Sequence, residues 1–246
     1  MPNIKLTVAY DGTDFFGFQR QSRHRSVQQV LEEAALKIFK EKIRIISASR
    51  TDTGVHADAH IVNFKTSACI PLRRIPFALN SVLPEDVRVL RASTASPVFH
   101  ARFAAKGKRY EYTVFNGEIL PPLLRRTVYR YPFPLDLAAM RAGVKLLTGR
   151  HDFRSFQGRA NRQENTVRRI RKFSVLRKPG PFIHFLIEGD GFLSNMVRNL
   201  VGTLLLVGRN KLSLNDLRTI LSARDRRLAG PTAPAVGLRL VKVFYQ

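Results

Sequence analysis

A single cysteine, Cys69, no tryptophan and only 18 acidic side chains occur in this chain of 246 residues. One thiol excludes an intrachain disulfide and a cysteine-based zinc site, and it fits a reducing, cytoplasmic setting. Long apolar runs are missing too. The most apolar stretch, Leu200 to Gly208, is flanked by Arg198 and Arg209 and is far too short to cross a bilayer, so no membrane partner is expected. Met1 to Tyr10 has alternating apolar residues but no basic segment followed by a long apolar stretch, and no signal peptide is read there. No phosphate-binding GxxxxGKS or GxxxxGKT loop, no GxSxG nucleophile elbow and no HExxH zinc helix occurs, and Gly189-Asp190-Gly191 lacks the third glycine of a dinucleotide loop. No cofactor and no metal are expected. His56, Asp58 and His60 could share one face of a strand, but three such residues without a fourth ligand are a weak metal pattern.

What the chain has in excess is positive charge. Forty-two Lys and Arg against 18 Asp and Glu give +24, an imbalance that a compact protein tolerates poorly without an anionic partner, nucleic acid first among the candidates. The excess is uneven: residues 1–105 carry 15 basic and 9 acidic side chains (+6), and residues 106–246 carry 27 and 9 (+18). Arg159, Arg162, Arg168, Arg169, Arg171, Lys172, Arg177 and Lys178 oppose only Glu164, a density suited either to tracking a phosphate backbone or to a solvated charged face.

Periodicity gives two α+β halves. Ile4 to Tyr10 alternates as a strand and ends at the turn signal Asp11-Gly12. Ser26 and Gln29 have capping-box spacing, and Val27, Val30, Leu31, Ala34 and Ile38 fall on one face of the helix that follows. Strands are predicted near 43–48, 59–65 and 87–93, with a helix near 71–81 after Pro71. A second round opens at Lys108 to Phe115, ending in Asn116-Gly117 as the first strand ends in Asp11-Gly12. It continues with a helix near 136–147, strands near 166–176 and 182–189, an apolar helix near 193–207 and a last strand near 237–244. Strands in consecutive runs favour antiparallel sheets over a doubly wound parallel sheet. The division is placed at 1–105 and 106–246.

Three segments carry the types of residue that do chemistry. Asp52 stands in Ser49-Arg50-Thr51-Asp52-Thr53-Gly54-Val55-His56 between two strand-like runs, where it reads either as a turn-forming aspartate or as a working carboxylate. Arg198 lies in the apolar helix among Met196, Val197, Leu200 and Val201. If buried it needs a carboxylate such as Asp52, since an unpaired buried charge costs about 3–5 kcal/mol; otherwise it is a snorkelling surface arginine. Tyr110, in Lys108-Arg109-Tyr110-Glu111-Tyr112, suits stacking on a base beside a phosphate, and equally suits the core face of a strand.

Taken together these segments closely resemble the TruA family of tRNA pseudouridine synthases. The resemblance runs through Tyr10-Asp11-Gly12-Thr13, Phe16-Gly17-Phe18-Gln19-Arg20-Gln21, the Asp52 segment, Phe99-His100-Ala101-Arg102-Phe103, Arg109-Tyr110-Glu111-Tyr112, Asp152-Phe153-Arg154-Ser155-Phe156, Met196-Val197-Arg198-Asn199 and Thr232-Ala233-Pro234-Ala235, spanning almost the whole chain. Phe18 stands where the family often has tryptophan, and Thr53 where it often has a smaller residue. The resemblance implies the pseudouridine synthase fold, two ferredoxin-like or RRM-like halves with joined, mainly antiparallel sheets around a basic cleft, normally in a homodimer. It implies isomerisation of uridines at positions 38, 39 and 40 of the tRNA anticodon arm without a cofactor. By it Asp52 is the catalytic nucleophile, attacking the ribose or the base or assisting elimination. Arg198 and Arg50 keep that carboxylate ionised, and Tyr110 stacks on the flipped uracil. The alternative is a basic RNA-binding protein without catalysis.

Overall fold

The structure, a computed structural model, describes residues 1–158 and 163–245 and divides into two compact units, Met1–Lys106 with Arg239–Gln246, and Gly107–Leu238. In the first unit the alternation of Asn3–Tyr10 gives β1, with Ile4, Leu6, Val8 and Tyr10 all buried. Helix α1 is Val27–Phe39. The Ser26 hydroxyl accepts the Gln29 N–H at its start, but the Gln29 side chain turns to Glu33, so only half of the capping box forms. Its buried stripe, Val27, Leu31, Ala34, Ala35 and Phe39, faces the sheet, where the Phe39 ring meets Phe64 edge-on at 5.3 Å. Strand β2 is only Ile46–Ser47, β3 is His56–Lys65, α2 is Ile75–Asn80 and β4 is Val87–Ala95. The helix expected over 71–81 opens instead as a 3-10 turn, Leu72–Arg74.

The second unit begins with β5, Gly107–Phe115, followed by the short β6, Tyr129–Arg130. Helix α3, Leu137–Leu147, starts where the Asp136 carboxylate accepts the N–H groups of Ala138 and Ala139. Then come β7 (Gly149–Asp152), β8 (Val167–Lys178), β9 (Phe182–Gly189), α4 (Met196–Gly208) and α5 (Leu214–Ala223), the last under a full capping box between Ser213 and Asp216. The sheet order is β5-β9-β8-β7 with every neighbouring pair antiparallel, and β6 lies parallel on β5. On its covered face Tyr112, Phe185 and Val175 lie in one row of the ladder, all buried, on a sheet over which α3 packs against β8 and against α4.

The closing strand, β10 (Leu238–Phe244), returns to the first unit, which the boundary at 105 does not anticipate. There it pairs in parallel with the start of β3, Arg239 opposite His56 and Leu240 opposite Ala57, giving the order β4-β1-β3-β10 with β2 also on β3. Each unit is thus a mainly antiparallel sheet with helices, as the consecutive strand runs imply. Among the described residues no helix is long and apolar enough to cross a membrane.

Candidate active site

Asp52 sits in the loop between β2 and β3, half-buried, with Arg50 exposed two residues earlier. The opening segment of the chain fixes this loop from several sides. The Tyr10 hydroxyl lies 2.8 Å from Thr51 Oγ1 and 2.9 Å from His60 Nδ1. The Phe18 N–H donates to Thr51 O, and the Gly54 N–H donates to Phe15 O. Asp52 O accepts the Val55 N–H, closing a turn whose third residue, Gly54, has φ +77°, a value that favours glycine. Gly17 lies so close beneath the loop that a Cβ there would stand 2.7 Å from Thr51 O. Bonds of this kind are each worth about 1 kcal/mol net, and together they hold the aspartate on rigid backbone. The paired motifs of the sequence, Tyr10 to Gln21 and Ser49 to His56, are therefore two sides of one structure.

His56 and His60 are consumed by this framework. His56 Nδ1 accepts the Gly12 N–H at 3.0 Å, which leaves the nearby Asp11 carboxylate, at 3.1 Å, to the N–H and hydroxyl of Thr13. Asp58 is exposed and lies 3.5 Å from Arg239. Among the described residues no group of three or more His, Cys, Asp or Glu side chains is placed to hold a metal ion.

Tyr110 and Arg198 belong to the second unit. Tyr110 is buried on β5, its ring edge-on to Phe192 at 5.3 Å. Arg198 and Leu206 are the two of the thirteen α4 residues that are not buried, so this arginine is half-buried on a core helix and does not snorkel from a surface one. The Arg198 Nε donates to Ala233 O at 2.7 Å and Nη1 donates to Asn195 Oδ1 at 2.9 Å, while Arg198 O accepts the Ala233 N–H.

Next in the helix, buried Asn199 ties three segments together. Its Nδ2 donates to Phe156 O, and its Oδ1 accepts from Thr232 Oγ1 at 2.6 Å and Arg226 Nη2 at 2.9 Å. Sequence alone assigns no role to Asn199, which enters only within the Met196-Val197-Arg198-Asn199 motif, or to Arg226. The Asn199 signal was present in its place beside Arg198 on a helix with no other polar group until Thr203, but Arg226 in Arg224-Asp225-Arg226-Arg227 looked like any surface charge. A cavity of about 840 Å³ beside it is lined by Arg154, Glu164, Arg224, Asp225, Arg226 and Arg227, among others.

The segment leading from Ala233 is anchored again at the next residue, Pro234. Tyr112 OH donates to Pro234 O at 2.8 Å. Burial, with Tyr129 beside it, pushes this phenol above its usual range against the pull of Arg198, so the hydroxyl keeps its proton and stays a donor. Tyr112→Phe leaves a carbonyl unpaired and is expected to lower the unfolding free energy by about 1–2 kcal/mol in a denaturant titration. No loss would show that water or a shifted backbone replaces the bond.

Of the basic run in the second half, Arg169, Arg171, Lys172, Arg177 and Lys178 are exposed along β8 and Arg168 is half-buried. Arg159 and Arg162 lie outside the described residues.

The model of a family described as tRNA pseudouridine synthase matches residues 6–104 and 144–246. Relatives are similar over the full length of both chains: tRNA pseudouridine synthase A of Thermoanaerobacter sp. at 42% identity and tRNA pseudouridine synthase A 2 of Clostridium perfringens at 43%, each covering 100% of either chain. The tRNA pseudouridine synthase A of Moorella thermoacetica is 43% identical with the same coverage. The match takes in the Asp52 loop, the strand that follows it and helix α4, and with it a binding protein without catalysis is no longer the favoured reading. This chain belongs to the tRNA pseudouridine synthase family, isomerases that convert uridine in tRNA to pseudouridine.

Proposed function

We propose that the chain isomerises the uridines at positions 38, 39 and 40 of the tRNA anticodon arm, acting as a cytoplasmic homodimer without cofactor or metal. Asp52 is the ionised nucleophile. Arg198, and with it Arg50, keeps the carboxylate in its anionic form, and Tyr110 stacks on the uracil. The observation that carries this reading is the fixation of the Asp52 loop by Tyr10, Phe15, Gly17 and Phe18, which holds a half-buried aspartate on rigid backbone.

The reaction needs little else. The bond from ribose C1′ to N1 breaks, the uracil turns while bound, C5 joins C1′, and the proton lost from C5 is balanced by the one gained at N1. Atoms are conserved and no electrons leave the substrate. A carboxylate suffices as nucleophile, provided that its charge is maintained by nearby cations. The target base is stacked in the arm, so it must leave the stack to react, at a cost of a few kcal/mol. The +24 charge, most of it in the second half of the chain, supplies the attraction that offsets this cost.

Incubation of the purified protein with unmodified tRNA in chelator, followed by mapping of pseudouridine, tests the proposal. Product at 38, 39 and 40 is expected. Product confined to another arm would overturn the assignment of positions and leave family membership standing.

A further inference from the structure

We propose that Phe16 and His24 form a stacking platform for a tRNA base adjoining the uridine that is isomerised, a role that rests on the proposed function. Phe16 is 46% exposed, His24 is exposed as well, and their rings lie parallel, 4.0 Å between centroids and 16° between planes. Isolated exposed apolar side chains are ordinary on a soluble protein. Two exposed aromatic rings held face to face are a different matter, because the pair offers a broad outer π-face to solvent.

The platform is built into the fold on both sides. The Phe16 N–H donates to Arg25 O at 3.0 Å, and Phe16 O accepts from Gln21 Nε2 at 2.8 Å. Arg25, next to His24, is fixed by two bonds to Asp86, at 2.7 and 2.9 Å, and its guanidinium covers the Phe15 ring at 4.1 Å. The chain neighbours of Phe16, Phe15 and Gly17, are the residues that touch the Asp52 loop at Gly54 and Thr51. Phe16, with His24 stacked on it, therefore stands one residue in the chain from the contacts that hold the Asp52 loop.

Charge at the same place fits RNA. Arg23 is exposed, and the Arg20 side chain is 52% exposed while paired with Glu32, so cationic groups flank the aromatic pair. Aromatic faces beside cations are the usual means of holding an unpaired nucleotide without reading its identity, since every base has a π-face. When the target uridine leaves the stack its neighbour loses a stacking partner, and the platform replaces what is lost.

The test compares wild type, Phe16→Ala, His24→Ala and Phe16→Tyr, with Phe77→Ala as an exposed phenylalanine elsewhere in the first unit. Each protein is titrated with anticodon stem-loop RNA, intact or carrying an abasic nucleotide on the 5′ or the 3′ side of the reacting uridine, and its melting curve establishes folding. Phe16→Ala is expected to weaken binding and raise KM about ten-fold with kcat little changed, His24→Ala somewhat less, and Phe16→Tyr and Phe77→Ala hardly at all. On RNA with the correct abasic position, wild type should lose the same ten-fold and Phe16→Ala nothing more. Unchanged binding by folded Phe16→Ala, or losses that multiply at both abasic positions, would overturn the platform. Wild type that binds but forms no pseudouridine would instead overturn the catalytic reading, and the binding titrations would still decide the platform.

Discussion

Asp52→Asn is expected to slow single-turnover pseudouridine formation at least about a thousand-fold, equivalent to about 4 kcal/mol of barrier, with tRNA binding close to wild type. The substitution keeps the size and shape of the side chain and removes its charge. A neutral carboxamide neither attacks a carbon centre nor favours a developing positive charge on the ribose. Folding should survive because the loop is held through the backbone of Thr51, Asp52 and Gly54 and through the side chains of Thr51 and His56. Rapid-quench measurement at saturating enzyme separates the chemical step from binding. More than about one per cent of the wild-type rate in a homogeneous, folded preparation would take Asp52 out of the chemistry.

Gly202→Ala should be the most damaging single-methyl change in the second unit. Alanine in a helix interior ordinarily gains about 1 kcal/mol over glycine. Here the added Cβ would land on Pro231 O and stand 3.0 Å from Pro231 C and 3.3 Å from Ala233 N, all backbone atoms that no rotamer change can move aside. Overpacking of this kind costs about 1–3 kcal/mol and the overlap is severe, so after the helix-propensity gain a net loss of about 2 kcal/mol in unfolding free energy is expected. The displaced segment is the one that holds Arg198 through Ala233 and Asn199 through Thr232. Turnover should consequently fall further than stability alone explains. A denaturant titration alongside an activity assay checks both, and a stabilised, active variant would show that residues 230–233 yield freely.

Much of this arrangement was legible in the chain. Alternation marked β1, where one face is buried, and the Tyr110, Tyr112 and Val114 positions of β5, and the Ser26 cap marked where α1 begins. Helix α5 escaped notice: only Leu217 and Ile220 of its ten residues are buried, too few to print a helical period. The strand expected over 43–48 shrank to two residues because Ile43 and Ile45 are buried without entering a ladder. Asp52 and Arg198 each stand out in the sequence as charged groups in unusual surroundings. The sequence could not show that Tyr10 and Thr51 share a hydrogen bond, that Asn199 gathers three segments, or that Phe16 lies against His24. Each depends on contacts between residues far apart in the chain or on a loop without periodicity.

The return of β10 to the first unit has a consequence for synthesis. While the chain grows on the ribosome, the start of β3, directly after the Asp52 loop, must wait for a neighbour encoded some 180 residues later. On the side away from β1 its edge stays open through the making of the whole second unit, and a strand edge left open is a place where other chains can add. A chain that has not yet made β10 therefore already has the Asp52 loop held by its opening segment, Tyr10 to Phe18, while the strand directly after that loop still lacks its neighbour on one side.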